Sequence, residues 1–221
     1  MSFGPETFEF LRDLAAHNSR DWFEANRDRY ENVWRDPALR FIAAVQPAME
    51  ALDPPLRAEA RLNGSLRRIN RDVRFSANKA PYSARLHLVF WAGRHPNRAP
   101  GMHIVLHPDG IGFGAGQFGL EPAGLAAIRA RILDPKDRAR LLGSLAEAEK
   151  AGSRLTDPDL ARLPRGYDAE GDWTHLLRRK AFVARTHDRL PVPDWLFGPQ
   201  AADEVLRLTQ AHLPFIRWLV A

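Results

Sequence analysis

Apolar residues recur at three- and four-residue intervals along the N-terminal part of the chain. Phe8, Leu11, Leu14 and Ala15 share one face behind Pro5, a residue suited to a first helical turn, and predict a helix over 5–16. Asn18 or Ser19 then caps a second helix, with Asp21 and Glu24 where negative charge is favoured. Its aromatic stripe of Trp22, Phe23, Tyr30 and Trp34 reads as core. Asp36-Pro37 opens a third helix to about residue 52, carrying Leu39, Ile42, Val45 and Met49, with a kink expected at Pro47.

The period then changes from helical to two. Residues 66–73 alternate and predict a first strand. Arg67, Ile69, Arg71 and Val73 would share one face, and Arg68, Asn70, Asp72 and Arg74 the other. Residues 84–92 are the clearest strand, with Leu86, Leu88 and Phe90 on one face and His87, Val89 and Trp91 on the other. Apolar residues on both faces suit a central strand. Two further strands, 102–107 and 111–117, flank Pro108-Asp109-Gly110, a strong hairpin signal. Gly112, Gly114 and Gly116 leave one face of the last strand without side chains, either for close packing or for the floor of a pocket.

Pro122 and Pro135 open helices to about 133 and 150, the second stopped by Gly152. A loop over 158–171, a short helix over 172–178 and a strand over 180–185 follow. An irregular loop holds Trp195 and Phe197 as anchors, and a final helix starts near Gln200, kinked or broken at Pro214. The pattern predicts an α+β fold: a single domain over 1–221 whose mostly antiparallel sheet is packed by N-terminal, middle and C-terminal helices. Its parts are a helical 1–55, a strand-rich 60–118 and a mixed 119–221.

Composition adds bounds. The chain of 221 residues carries a net charge of +5 and no cysteine, which removes disulfides, thiol chemistry and cysteine-type zinc sites. No secretory leader or membrane-spanning run is read, and a cytoplasmic location is expected. The eight histidines form no tight metal spacing, although His87 and His103 fall where they would be cross-strand neighbours. No nucleophile elbow, dinucleotide fingerprint, Walker motif or kinase signature is present. Metal and cofactor are therefore expected to be none, and no catalytic residue is assigned.

The densest chemistry lies at 67–82, RRINRDVRFSANKAPY. Arg67, Arg68, Arg71, Arg74 and Lys79 place five cations in thirteen positions with one carboxylate, Asp72. Guanidinium binds carboxylate or phosphate as a planar fork. Ser76, Lys79 and Tyr82 sit on or beside a loop expected at 76–80. Two readings fit. In one, Asp72 pairs with Arg71 or Arg74, Phe75 and Tyr82 are core anchors, and the stretch is a salt-bridged staple. In the other, it binds an anion. A staple is expected to balance its charges, because buried unpaired charge is costly; the excess of arginine favours the anion.

This stretch resembles the core motif of the DUF2461 family of conserved hypothetical proteins, Arg-Asp-x-Arg-Phe-Ser-x-Asp-Lys-x-Pro-Tyr-Lys. Arg71, Asp72, Arg74, Phe75, Ser76, Lys79, Pro81 and Tyr82 match, while Asn78 stands where the family has Asp and Ser83 where it has Lys. Residues 18–30 resemble its N-terminal signature, 113–116 its glycine-rich hairpin and 164–168 a late loop. The resemblance implies no activity.

Two classes of function follow. The first is a site for a small phosphate- or carboxylate-bearing molecule, catalytic or not. Arg68, Arg71, Arg74 and Lys79 would bind the anion, with Ser76 and Tyr82 beside it, Asp72 orienting an arginine, the glycine strand as a wall, and Arg165 and Tyr167 folding over. The second is a nucleic-acid-binding module using arginines interleaved with aromatic rings. It is disfavoured by scattered acidic residues and the lack of a named binding motif. A structural or interaction role, with Trp22, Trp34 and Trp195 facing a partner, is the third.

Overall fold

A computed structural model describes residues 3–221; Met1 and Ser2, the first two of the expected domain, lie outside the described residues. Helix α1 (Pro5–Ala16) starts at its proline and buries Phe8, Phe10, Leu11 and Leu14. Ser19 caps α2 (Arg20–Ala25) by accepting from the Trp22 N–H at 3.2 Å. A short helical turn, α3 (Arg27–Arg29), and a π-helical turn (Tyr30–Arg35) lead into α4 (Asp36–Glu50), which continues through Pro47. Trp34 is fully buried and so faces no partner, while Trp22 and Trp195 pack partly buried against the core.

The sheet has five antiparallel strands in the order β1-β2-β3-β5-β4. They are β1 (Leu86–Trp91), β2 (Gly101–His107), β3 (Gly110–Gln117), the two-residue β4 (Arg154–Leu155) and β5 (Phe182–Arg185). β2 and β3 form the expected hairpin across Pro108-Asp109, with Ile104 opposite Phe113. Helices α5 (Pro122–Leu133) and α6 (Pro135–Lys150) follow their prolines. The expected helix over 172–178 is a shorter 3₁₀ turn, Asp172–Leu176. A second 3₁₀ turn, Asp194–Phe197, sets Phe197 edge-on to Phe8 at 5.8 Å. Helix α7 (Ala201–Val220) is not broken at Pro214; Phe215, Ile216 and Trp218 beyond it are buried and hold the last turns in place. No helix among the described residues is long and apolar enough to cross a membrane.

The strand expected over 66–73 is not formed. Leu66 bridges Leu88 and Asn70 bridges Tyr82. Asn70 lies four positions after Leu66, but their partners Tyr82 and Leu88 lie six apart, so two extra residues on the partner side interrupt the ladder. They are taken up in a bend, where the Arg85 N–H donates to Ser83 O at 2.8 Å. The segment runs beside β1 through isolated bonds such as Arg67 N to His87 O at 2.9 Å and Ser83 N to Ile69 O at 2.8 Å. The expected alternation of faces nevertheless holds: Arg67, Ile69, Arg71 and Val73 are buried or partly buried, while Arg68, Asn70, Asp72 and Arg74 are exposed. Phe75 is no core anchor either; it stands 97% exposed at a loop tip.

Candidate functional site

Strand alternation gives the sheet two different faces. Leu86, Leu88, Phe90, Met102, Ile104, Leu106, Ala115, Phe182 and Ala184 are buried on one of them, where α7 packs across β2 and β3 and α1 touches β2. The registers place His87 and Val89 of β1, His103, Val105 and His107 of β2, Gly112 and Gly114 of β3 and Arg185 of β5 on the other. That face holds a cavity of about 410 Å³, floored by Gly112 and Gly114, walled by Val105, Val183 and Phe118, and rimmed by Arg85, Arg185 and Arg189.

The bare floor has a structural cause at its far end. A Cβ on Gly114 would lie 2.6 Å from Arg185 Cα, and one on Gly116, whose φ is +151°, 2.6 Å from Val183 Cα. These two glycines let β5 pair closely with β3; the close partner is a strand backbone, not a helix or an aromatic ring. Gly112 is roomier: an added Cβ would meet only Thr186 Oγ1 at 3.2 Å and His107 Nε2 at 4.0 Å.

A second cavity of about 260 Å³ opens where the 66–71 segment leaves β1. Arg67, Arg68, Asn70, Arg71, Asp72, Ser83, Arg85 and His87 line it, and it shares Arg85 and His87 with the first cavity. Its single carboxylate is already engaged, because Arg74 binds Asp72 at 2.7 Å and holds the carboxyl below its ordinary pKa. Arg67 donates to Asn97 Oδ1 at 2.6 Å; burial, then the neighbouring Arg68, pushes its pKa down. Among the described residues, Arg68 and Arg85 make neither an ion pair nor a side-chain hydrogen bond.

His87 and His103 meet where the cavities join. His87 Nε2 lies 2.8 Å from His103 Nδ1, with ring centroids 5.1 Å apart. Desolvation, helped for His87 by His103 and Arg85 and for His103 by Arg67, lowers both pKa values, His87 well below 6.5 and His103 to about 4. Both rings are therefore neutral at neutral pH, and one ring nitrogen donates to the other. In such a pair, the two outer nitrogens comprise one donor and one acceptor. Phe118 presents an edge-on ring to His103 at 6.0 Å. His107 is also lowered, first by burial and then by Arg189 and Arg85. Among the described residues, no group of three or more His, Cys, Asp or Glu is placed to hold a metal ion.

The residues singled out in the sequence divide. Arg68, Arg71 and Asp72 line the arginine cavity. Arg71 also shapes the loop, donating to Ala80 O at 2.9 Å and Ser76 Oγ at 3.3 Å. Lys79 Nζ donates to Val73 O at 3.1 Å. Arg74 projects outward, its side chain 76% exposed. Tyr82 is 6% exposed and stacks on Phe23 at 4.2 Å, a core position. Arg165 and Tyr167 are not brought to the groove; Tyr167 lies beneath the Arg129 guanidinium at 5.6 Å, and Arg165 is exposed elsewhere. Arg67 was counted among the cations, but Arg85, His87, His103 and Arg185 were not assigned to a site. The one signal for them was that His87 and His103 occupy the same face of neighbouring strands.

Comparison with known proteins agrees with the motif. The profile of a family described as conserved hypothetical protein (DUF2461) matches residues 6–218. No curated protein and no solved structure matches the chain.

Proposed function

The chain belongs to the DUF2461 family, and from that starting point we propose that it binds a small phosphate- or carboxylate-bearing molecule in the arginine cavity beside β1. One observation carries the reading. Arg67, Arg68, Arg71 and Arg85 converge on a single cavity whose one carboxylate, Asp72, is already held by Arg74. Guanidinium groups without a carboxylate partner suit bidentate binding of an oxyanion. A cytoplasmic setting accords with the absence of cysteine.

Arg68 and Arg85 are exposed and bonded to nothing else, so an Arg68→Gln/Arg85→Gln variant is expected to fold as the wild type does. A ligand at one hundred times its dissociation constant stabilises the native state by about 2.7 kcal/mol. Inorganic phosphate, sugar phosphates and carboxylates should therefore raise the melting temperature of the wild type and leave the variant unmoved. An equal shift in both proteins, or none in either, sinks the reading.

A second reading, binding of nucleic acid, is supported by Phe75. The ring is 97% exposed, with the Arg74 guanidinium 5.8 Å from its centroid, and an exposed aromatic among cations can stack a base. Affinity for single-stranded oligonucleotides that falls steeply with salt and is lost in Phe75→Ala would favour it.

A further inference from the structure

Resting on the anion site just proposed, we infer that the ligand is a nucleotide, its phosphate held by the arginines and its base lying flat on the glycine floor of β3. The two cavities share Arg85 and His87 and so form one groove with unlike ends. One end is cationic. The other, about 410 Å³, lies within the range of roughly 300–1,000 Å³ usual for small-ligand sites.

The shape of the second end selects a planar group. Gly112 exposes bare peptide backbone, Arg185 closes over Gly114 beside it, and Val105, paired with Gly112 in the register, and Val183 stand at the sides. Phe118, half exposed, borders the same space and offers a ring to stack. A saturated sugar phosphate or a small carboxylate would fill the cationic end and leave this slot empty. A greasy chain would fit the walls but not the imidazoles that border it. The His87–His103 pair supplies one donor and one acceptor between the two ends, where a nucleotide carries its ribose hydroxyls and base edge. A free mononucleotide and the phosphorylated end of a single-stranded nucleic acid present this same chemistry.

Isothermal titration of the full chain separates the possibilities. The probes are adenosine 5′-monophosphate, uridine 5′-monophosphate, ribose 5-phosphate, inorganic phosphate and a short 5′-phosphorylated single-stranded oligonucleotide. The wild type should bind a mononucleotide or the oligonucleotide about ten- to a hundredfold more tightly than ribose 5-phosphate, the gain a stacked base provides. Gly112→Val fills the floor where the backbone has room, and Val105→Trp covers it from the opposite strand should the first variant fail to fold. Either should abolish that preference and leave the affinity for ribose 5-phosphate unchanged. Binding of the oligonucleotide but not of mononucleotides, with the same dependence on the floor, identifies a nucleic-acid end as the source. If ribose 5-phosphate binds as tightly as the nucleotides, or if the floor variants keep the preference, the nucleotide inference is overturned and the anion site stands. If no phosphate binds, the nucleotide inference falls together with the phosphate reading of the site, and the carboxylates of the thermal screen decide what remains of it.

Discussion

Acidification should unfold this protein in a window set by the paired histidines. An unfolded histidine titrates near 6.5, whereas His103 in the fold is lowered to about 4 and His87 is lowered well below 6.5. Between these limits the unfolded chain binds protons that the native chain refuses, so stability rises with pH across the window and falls as pH drops through it. For His103 alone the difference of about 2.5 units, at 1.36 kcal/mol each, amounts to roughly 3 kcal/mol lost between pH 6.5 and pH 4. The groups facing the pair reinforce the sign. Arg67 and Arg85 repel an added proton, as does His107 once charged; of the two carboxylates lining the groove, Asp72 is bound to Arg74 and Asp188 stands at the rim with Arg189. Urea unfolding at pH 7, 6, 5 and 4 measures the slope. Near pH 5 His103 contributes about 1 kcal/mol per pH unit, and His87 adds to the slope in the same direction. Because His107 and His212 are also lowered, the comparison must be with a His87→Gln/His103→Gln variant, which should show the shallower slope. Equal slopes in the two proteins would refute the argument that burial keeps the pair neutral.

Three further outcomes follow from the geometry. Arg74→Ala should leave the chemical denaturation midpoint close to that of the wild type, because the Arg74–Asp72 pair is exposed at 76% and 46% and screened by solvent. Tyr82→Ala should cost about 3–5 kcal/mol as a lost buried ring, while Tyr82→Phe should stay within about 1 kcal/mol and retain phosphate binding, since the ring stacks on Phe23 in the core. Gly116→Ala should destabilise by about 1–3 kcal/mol in a thermal melt through its positive φ and the approach of β5, whereas Gly112→Ala should cost less, its Cβ meeting Thr186 Oγ1 at 3.2 Å and no backbone.

Helices were legible because proline marked their first turns and apolar spacing marked their buried faces. Phe8, Leu11 and Leu14 do lie buried, and α1, α5 and α6 begin at Pro5, Pro122 and Pro135. The Asp109-Gly110 turn announced the β2–β3 hairpin for a similarly local reason. The 66–73 segment misled because its alternation is real, yet a two-residue slip on the partner side prevents a ladder, and only the partner's path reveals that slip. Phe75 misled for a different reason: apolar character implies burial only on average, and at a loop tip nothing packs over it. The cationic half of the groove showed as a charge imbalance over 67–79. Of its other half only the glycine strand showed, as a possible floor or wall; His87 and Arg85 join it only when β1 pairs with β2.

The two most distinctive motifs of the chain prove to be one structural device. Asn18 does not cap a helix; Ser19 does. The Asn18 side chain instead grips Tyr82, donating to its carbonyl at 3.0 Å and accepting from its N–H at 3.0 Å, while Phe23 stacks on the Tyr82 ring. At the other end of the loop the Arg71 N–H donates to Pro81 O at 2.9 Å. The loop that presents Arg71 and Asp72 to the cavity is thus clamped to the N-terminal helices by residues that do not line the cavity themselves. Arg71 belongs to both cavity and loop, lining the cavity with Arg67, Arg68 and Arg85 while bonding Ala80 O and Ser76 Oγ within the loop. Asn18→Ala leaves the Tyr82 N–H and carbonyl without these partners, which should cost about 1–3 kcal/mol. If the clamp positions the cavity, the same variant, still folded, should also bind inorganic phosphate several-fold more weakly. A variant that loses stability but keeps the wild-type affinity would separate the clamp from the site and return the motif to a purely structural role.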